Sequence, residues 1–491
     1  MPDQIQDSLQ SKAKAVRSAG LLGLVTFISR ALGLVREVFV AALLGTSIFS
    51  DAFTLAFSIP DLFRRLFAEG TLVSVFIPSL ALVKKRDGPA AASEFAGSLM
   101  TLLTVTIGLF CLLAIFIAPL IIRMMPVFDD TAGLLEPTLL LVQIMFAYIL
   151  FISLTSVYQG ILNSFSIFWV SSLTPVLLNL SVISFATLLS PCLENPAIGF
   201  AIGIIVGGML QLVFHVPFVN RLPIKPKLSF HWKNPTIRSV FAHMLPSIFG
   251  IGIYQINIVI GNIVASTLPS GSISSLKFSN RLLEFALGVF VVSITTIALP
   301  RFSVSHLEKK QDAFQAEIGR SMNSITLISL PIVFGGFLLA EEIITLLYSR
   351  GQFDNSSIAL TTSAFRFHLL GLVFIAWNRM FLICYQTKSF IKPMVQAGAW
   401  ILVLNLSGAL LLKAFMGHNG IALASSISQL AHTVLLVFFL RNLSINKALN
   451  MVLNRSTIQS IIASLLMLFG LLLFDRMSGA EEWWLPLRVL S

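Results

Sequence analysis

The chain has 491 residues, of which 56% are hydrophobic and only 11% are charged, and its formal net charge is +11. Soluble domains carry roughly 25% charged residues, and a single soluble core stops growing beyond about 250–300 residues. The composition therefore excludes a soluble enzyme built from ordinary domains, and also a disordered or fibrous chain. Uncharged stretches such as Leu99–Ile122 are far longer than the roughly ten-residue segments of a membrane β-barrel, so membrane-spanning α-helices are predicted.

Thirteen apolar segments are predicted to cross the membrane, which makes the chain an all-α polytopic membrane protein. Their approximate bounds are 20–44, 50–83, 95–122, 134–161, 167–190, 196–219, 239–267, 272–299, 320–347, 356–386, 393–415, 419–441 and 456–474. Several exceed the ~20 residues that a bilayer requires, so tilted or extended helices are expected.

The charges of the predicted loops indicate an orientation. Loops on one side carry 20 Lys and Arg residues, and loops on the other side carry five. The basic side is predicted to be cytoplasmic, which places the N-terminus inside and, with thirteen spans, the C-terminus in the periplasm. The same bias explains the net charge of +11 without a nucleic-acid partner.

Short motifs recur in the same order in the two halves of the chain. The matching pairs are Tyr158–Gln159 with Tyr385–Gln386, Asn179 with Asn405, Phe57–Ser58 with Phe278–Ser279, and Gly199 with Gly420, at offsets of 221 to 227 residues. Chance similarity among apolar segments is the alternative explanation. Two homologous six-helix lobes are predicted at 1–222 and 223–446, with one extra helix and a short tail at 447–491. An even number of helices per lobe gives a parallel repeat, and such folds hold their substrate in a central cavity between the halves.

Eight basic residues fall inside the predicted spans. They are Arg30, Arg36, Arg64, Arg65, Lys277, Arg281, Arg366 and Arg379. An arginine at a helix centre costs at least ~2.5–3.5 kcal/mol, so these side chains are expected to face a cavity or a partner. Local ion pairs are the alternative, because the spacings of Asp61 to Arg65, of Arg65 to Glu69 and of Arg281 to Glu284 place each pair on one helix face.

Arg30 and Arg36 are the basic residues that local pairing explains least. They lie six residues apart, which is about 120° apart around a helix. Neither has an acid four residues away, and the adjacent Glu37 is expected to face elsewhere. Two such arginines in one span suggest an anionic ligand, and guanidinium groups bind phosphate bidentately, which suits a pyrophosphate. Together with Arg64 and Arg281 they would give a cationic cavity.

Characteristic motifs surround these arginines. They are Ser29–Glu37 (SRALGLVRE), Ser50–Phe53 (SDAF), Ala56–Gly70 (AFSIPDLFRRLFAEG), Phe76–Pro78 (FIP), Thr174–Asn179 (TPVLLN) and Asn280–Phe285 (NRLLEF). Together they resemble the MurJ (MviN) family of lipid II flippases. The resemblance implies the fold of the MOP flippase superfamily, with two six-helix lobes around a cavity. It also implies export of lipid II to the outer leaflet by alternating access.

The resemblance also suggests roles for individual residues. It implies substrate binding by Arg30, Arg36, Arg64 and Arg281. The cavity and gating residues are expected to be Asp51, Arg65, Glu69 and Glu284. The chain departs from the family at Asn280, where an aspartate is common. It also has room for one helix after the lobes, at 457–474, where family members usually have two.

Other function classes remain as alternatives. The chain could export another undecaprenyl-pyrophosphate-linked glycan, or it could be a non-transporting scaffold of cell-wall synthesis, although a scaffold has little reason to keep arginines in its helices. No catalytic or metal-binding motif occurs in the sequence, so neither an enzyme nor a cofactor is expected. The expected partners are lipid II, membrane lipids and other cell-wall synthesis proteins. The expected location is the bacterial cytoplasmic (inner) membrane.

Overall fold

The computed structural model describes residues 2–67, 71–124, 133–227, 229, 236–240, 242, 257–307, 311–388, 390–441 and 454–478. Throughout this part of the chain the regular structure is helical. The helices of the first half are α1 (Pro2–Leu44), α2 (Ile48–Phe67), α3 (Thr71–Met124), α4 (Leu135–Met145), α5 (Ala147–Ser164), α6 (Phe168–Leu189) and α7 (Ala197–Val219).

The second half continues with the same kind of structure. Residues 257–265 are helical, and the helices that follow are α8 (Ser272–Ala286), α9 (Val292–Leu307), α10 (Gln311–Leu338), α11 (Ala340–Tyr348), α12 (Asn355–Thr387), α13 (Ile391–Met416), α14 (His418–Arg441) and α15 (Arg455–Ser478). A π-helical turn, Leu287–Val291, joins α8 to α9. The all-α polytopic fold predicted from the hydropathy pattern is confirmed.

Within the described ranges, ten helical segments are long and apolar enough to cross a membrane. The first, second and seventh of the thirteen predicted spans are not among them. The first two contain the charged side chains of α1 and α2, and most of the seventh lies outside the described residues. The count of thirteen therefore stays a prediction.

The second and third predicted spans meet at a sharp bend in α3. Gly88 has φ 87° and ψ 177°, which is not helical. Side chains with a Cβ rarely adopt this conformation, so glycine is the residue that suits this position. The bend falls in the polar segment between the two apolar stretches, where the sequence predicts a loop.

The chain divides into two compact units. Unit 1 contains Met1–Val40 and Ala52–Gln255, and unit 2 contains Ala41–Asp51 and Ile256–Ser491. The turn between α1 and α2 thus belongs to unit 2, although most of both helices belongs to unit 1. The lobe boundaries predicted at 222 and 446 stay a prediction.

The repeated asparagines make equivalent contacts in the two units. In unit 1, Asn179 on α6 donates from Nδ2 to the carbonyl oxygen of Ser29 on α1, at 3.4 Å. In unit 2, Asn405 on α13 donates from Nδ2 to Oδ1 of Asn257, at 2.9 Å. Asn257 lies 228 residues after Ser29, close to the offset of the repeat. Each asparagine therefore ties two helices of its own unit together.

The turn between α1 and α2 is hydrogen-bonded to the residue Gln352, which precedes α12, and to Ser357 in the first turn of α12. The backbone nitrogen of Gln352 donates to the carbonyl oxygen of Ala42 at 2.9 Å. The hydroxyl groups of Thr46 and Ser357 lie 2.8 Å apart. Gly45 has φ +57°, and a Cβ there would collide with the carbonyl oxygen of Gln352. The contact therefore requires glycine, which has no Cβ, at position 45.

Candidate substrate-binding site

Arg36 lies between two side chains of unit 1. Its Nη2 donates to Oε1 of Glu37 at 2.7 Å, and its Nη1 donates to Oδ1 of Asn179 at 3.2 Å. The side chain of Arg36 is 16% exposed, and that of Glu37 is 2% exposed. The side-chain amide of Asn179 also donates to the carbonyl oxygen of Ser29. Asn179 therefore contacts α1 twice, at its backbone and at the guanidinium group of Arg36. The guanidinium plane is thereby fixed from two sides.

The expectation that Glu37 faces away from Arg36 is wrong. Adjacent residues point about 100° apart on a helix, but arginine and glutamate side chains are long enough to bend towards each other. The buried carboxylate favours this arrangement, because an ionised carboxylate away from water is very costly unless it is paired. The sequence does not identify Asn179 as a site residue, although Asn179 ends the motif Thr174–Asn179. Its recurrence as Asn405 is the signal that points to it.

Arg30 lies on the same helix, six residues earlier. Its side chain is half-buried, and α1 is helical through the intervening Gly33. The two arginines therefore remain on faces of α1 that point about 120° apart, as the spacing predicts.

A second cluster in unit 1 joins two arginines to one carboxylate on α2. Oδ1 of Asp61 accepts from Nε of Arg64 at 3.0 Å and from Nη2 at 2.9 Å. Oδ2 of Asp61 accepts from Nε of Arg65 at 3.0 Å. The predicted pair of Asp61 with Arg65 is confirmed, and the pair with Arg64 was missed. The cluster keeps a net charge of +1. Glu69, the predicted partner of Arg65 and a predicted gating residue, lies outside the described residues.

Arg281 and Glu284 form the predicted pair on α8 in unit 2. Nη1 of Arg281 lies 3.4 Å from Oε2 of Glu284, and their side chains are 28% and 25% exposed. The spacing of three residues places them on one face of the helix. The long distance and the partial exposure make this a weaker pair than that of Arg36 and Glu37.

Asp51 caps helix α8. Its Oδ2 accepts from the backbone nitrogen of Gly271 at 2.7 Å, and its Oδ1 accepts from that of Ser274 at 2.7 Å. Asp51 is 2% exposed. Gly271 has φ +91°, so the chain turns sharply into the helix there. The first turn of a helix has unpaired N–H groups and favours negative charge, and the carboxylate satisfies both needs. Asp51 therefore binds the helix that carries Arg281.

The charges of these clusters do not balance. In unit 1, Arg36 pairs with Glu37, and Arg64 and Arg65 share Asp61, so three arginines meet two carboxylates and these clusters keep a net charge of +1 within helices predicted to lie in the membrane. In unit 2, the pair of Arg281 with Glu284 is neutral. Cations inside the membrane normally face a cavity or an ion pathway. The arrangement suits an anionic ligand.

We expect Asn179→Ala to reduce the transport that the sequence motifs predict by about three- to tenfold, because Arg36 would keep its ion pair but lose the amide that fixes its plane. The matched control is Asn405→Ala, which removes the equivalent asparagine of unit 2, where the partner is Asn257 instead of an arginine. The measurement is the transport rate per inserted protein. Equal losses in the two variants would show that both asparagines serve packing alone.

We expect Asp51→Ala to lower the free energy of unfolding by about 1–3 kcal/mol, since two buried N–H groups would lose their acceptor. Thermal unfolding of the purified protein measures this. Asp354→Ala is the control. Asp354 caps α12 from an exposed position and accepts from the backbone nitrogen of Ser357 at 2.8 Å. That hydrogen bond holds the pKa of Asp354 below its usual value. A larger loss at Asp354 than at Asp51 would contradict the role assigned to the buried cap.

Comparison with known structures identifies the class of the fold. One similar structure, titled as an inward-facing multidrug resistance MATE family transporter of the MOP superfamily, has a TM-score of 0.73 and 14% identity, and the match covers 88% of this chain and 98% of that one. Another, titled as lipid II flippase MurJ in an inward closed conformation, has a TM-score of 0.81 and 25% identity, and covers 96% and 95%. The helices are those of a multi-pass membrane protein with the fold of MOP-superfamily transporters.

Sequence comparison narrows this class. The family described as Lipid II flippase MurJ matches residues 40–485. A probable lipid II flippase MurJ of Treponema pallidum is 34% identical over 444 residues, covering 88% of this chain and 83% of the relative. Its counterpart in Vibrio cholerae is 33% identical over 432 residues, covering 86% and 82%. The chain belongs to the lipid II flippase MurJ family, as the motifs of the sequence predicted.

Proposed function

We propose that this protein is a flippase, which moves lipid II from the inner to the outer leaflet of the bacterial cytoplasmic membrane by alternating access. Lipid II is the lipid-linked precursor of peptidoglycan, so the protein would act in cell-wall synthesis. The observation that carries the proposal is the net positive charge of the arginine clusters on α1 and α2. A pyrophosphate is the part of lipid II that such clusters suit, because guanidinium groups bind phosphate oxygens bidentately.

The proposed binding residues are Arg30, Arg36, Arg64 and Arg281. Two of them have hydrogen-bonded supports that favour a fixed orientation, since Arg36 is bound to Asn179 and Arg64 to Asp61. In this proposal the four arginines face a cavity between a lobe at 1–222 and a lobe at 223–446. Residues 447–491 supply the extra helix, and α15 (Arg455–Ser478) is its described part.

The proposed gating residues are Asp51, Arg65, Glu69 and Glu284. Asp51 supports this role best, because its carboxylate binds the N-terminus of the helix that carries Arg281. Opening a gate at this point would require those two hydrogen bonds to break. We also propose an N-terminus in the cytoplasm and, with thirteen spans, a C-terminus in the periplasm. Membrane lipids and other cell-wall synthesis proteins are the further proposed partners.

The membrane potential is the proposed driving force. The clusters carry net positive charge, and one charge crossing 100 mV corresponds to ~2.3 kcal/mol. Transport by the purified protein in vesicles should therefore respond to an imposed potential. If removal of sodium stopped transport while collapse of the potential did not, this part of the proposal would be overturned.

A lipid II translocation assay tests the proposed function. The chain is expressed in cells depleted of their own flippase, and lipid II in the outer leaflet is measured over time. We expect translocation to be restored. A transporter of other undecaprenyl-pyrophosphate glycans would restore export of those glycans but not of lipid II. A scaffold would restore neither, and both outcomes would overturn the proposal.

A further inference from the structure

His368 on α12 is hydrogen-bonded to the buried face of α8. Its Nδ1 lies 2.8 Å from Oγ of Ser279. Ser279 is 0% exposed and His368 is 9% exposed, so the bond forms away from solvent. A histidine in the interior of a membrane lobe is costly unless its polar atoms are bound.

The direction of this hydrogen bond follows from the second contact of Ser279. Its hydroxyl group donates to the carbonyl oxygen of Leu276 at 2.9 Å. A hydroxyl group has one proton, so the assignment that satisfies both contacts has the Ser279 oxygen accepting from His368. His368 consequently donates from Nδ1. The imidazole is the donor, and α8 supplies the acceptor.

Ser279 and Arg281 lie on opposite sides of α8. Two residues correspond to about 200° of rotation around a helix. Lys277, Arg281 and Glu284 form the half-exposed face of α8, whereas Ser275 and Ser279 lie on its buried face. His368 thus holds α8 from behind, at the level of the arginine on its front face. A rotation of α8 that moved Arg281 would break the bond to His368.

The backbone of helix α12 around His368 is held by hydrogen bonds from α14. Ser426 on α14 donates to the carbonyl oxygen of Phe367 at 2.6 Å. Gly371 lets α14 approach closely, since a Cβ there would lie 2.8 Å from Oγ of Ser426. The carbonyl oxygen of His368 also lies 3.5 Å from the same hydroxyl group. His368 therefore extends from a backbone that α14 holds in place.

The internal repeat has no histidine at the equivalent position of the first half. Ser58 is the counterpart of Ser279 at an offset of 221 residues, and it also donates to the carbonyl oxygen three residues earlier, that of Leu55 at 2.6 Å. By the same offset Arg281 corresponds to Pro60, and by the offset of 227 at the nearer pair Tyr158 with Tyr385, His368 corresponds to Leu141. The second half has both the histidine and the arginine, and the first half has neither at these positions.

We propose that His368 is a positioning residue, which sets the orientation of α8 and thereby holds Arg281 where it binds the pyrophosphate of lipid II. This inference rests on the proposed function of Arg281. His368 touches no substrate in this role. It acts through Ser279 and the helix, so its effect must depend on the presence of Arg281.

Lipid II binding to the purified, full-length protein in nanodiscs tests the inference. We expect His368→Leu to weaken binding by about three- to tenfold, the effect of losing one buried hydrogen bond. His368→Asn should restore binding to within about twofold of the unmodified protein, because the asparagine Nδ2 lies near the position of the imidazole Nδ1 and can donate. The control is His432→Leu. His432 lies on α14, its Nε2 is buried without a hydrogen-bond partner among the described residues, and its loss should leave binding unchanged.

A double-mutant cycle separates positioning from a general effect on folding. In an Arg281→Ala background, His368→Leu should cause no further loss of lipid II affinity. Ser279→Ala removes the acceptor with little change in volume, so it should weaken binding like His368→Leu and serves if the leucine variant does not fold. Thermal unfolding checks the fold of each variant.

The outcomes are distinct. If Arg281→Ala weakens binding but neither His368→Leu nor Ser279→Ala does, the inference is overturned and the proposed function stands. Equal losses from His368→Leu with and without Arg281 would also overturn it, because His368 would then act on the lobe as a whole. If Arg281→Ala binds lipid II like the unmodified protein, the proposed role of Arg281 itself is wrong.

Discussion

Arg30→Ala, Arg36→Ala and Arg281→Ala are each expected to reduce lipid II transport by at least about thirtyfold. Each arginine is proposed to form a buried, hydrogen-bonded charge pair with the pyrophosphate. Truncating one partner of such a pair costs roughly 2–5 kcal/mol, and 1.4 kcal/mol corresponds to a factor of ten. Uncharged side chains would leave the pyrophosphate with fewer cations in a poorly solvated site. The measurement is the translocation rate in depleted cells, normalised to the amount of inserted protein.

The Arg36 variant needs a control for folding, because Arg36→Ala removes the partner of a buried carboxylate. The double variant Arg36→Ala/Glu37→Gln removes both charges and should fold, yet it should remain inactive. Arg86→Ala is the control for a simple loss of positive charge, since Arg86 is 66% exposed and pairs with Asp87. It should transport normally. Normal complementation by Arg36→Ala at native expression would count decisively against the proposed site.

The fold was predictable because its signals are local. Long apolar stretches determine which segments become membrane helices, and the spans predicted at 167–190 and 196–219 correspond closely to Phe168–Leu189 and Ala197–Val219. The pairs of Asp61 with Arg65 and of Arg281 with Glu284 also followed from spacing along one helix. Such contacts need no knowledge of how the helices pack.

The missed contacts join residues that are far apart in the sequence. Asp51 binds Gly271, 220 residues away, and Arg36 binds Asn179, 143 residues away. Neither spacing nor hydropathy contains this information. Both residues lay in motifs that resembled a family, so their importance was visible although their partners were not. Glu37 was misplaced for a different reason, since backbone direction alone does not determine where a long side chain ends.

Lysine substitutions are expected to show whether the site needs charge alone or the shape of the guanidinium group. Arg30→Lys and Arg281→Lys keep the positive charge, but lysine has no planar fork and is more strongly hydrated. If a pyrophosphate is held bidentately, each lysine variant loses one of two charge-assisted hydrogen bonds, about 1.5–3 kcal/mol. Lipid II affinity should then fall about tenfold or more, close to that of the alanine variants.

Titrating lipid II against the Arg, Lys and Ala forms at each position makes the comparison. Arg281 is the more informative position, because one of its nitrogens approaches Glu284 at 3.4 Å, a contact weak enough to leave the orientation of the guanidinium group to the ligand. At Arg36 a lysine would also lose its simultaneous contacts with Glu37 and Asn179, so an effect there would mix support with binding. Equal affinity of the Arg and Lys forms at both Arg30 and Arg281 would leave a cationic cavity in place but would eliminate bidentate binding of the pyrophosphate.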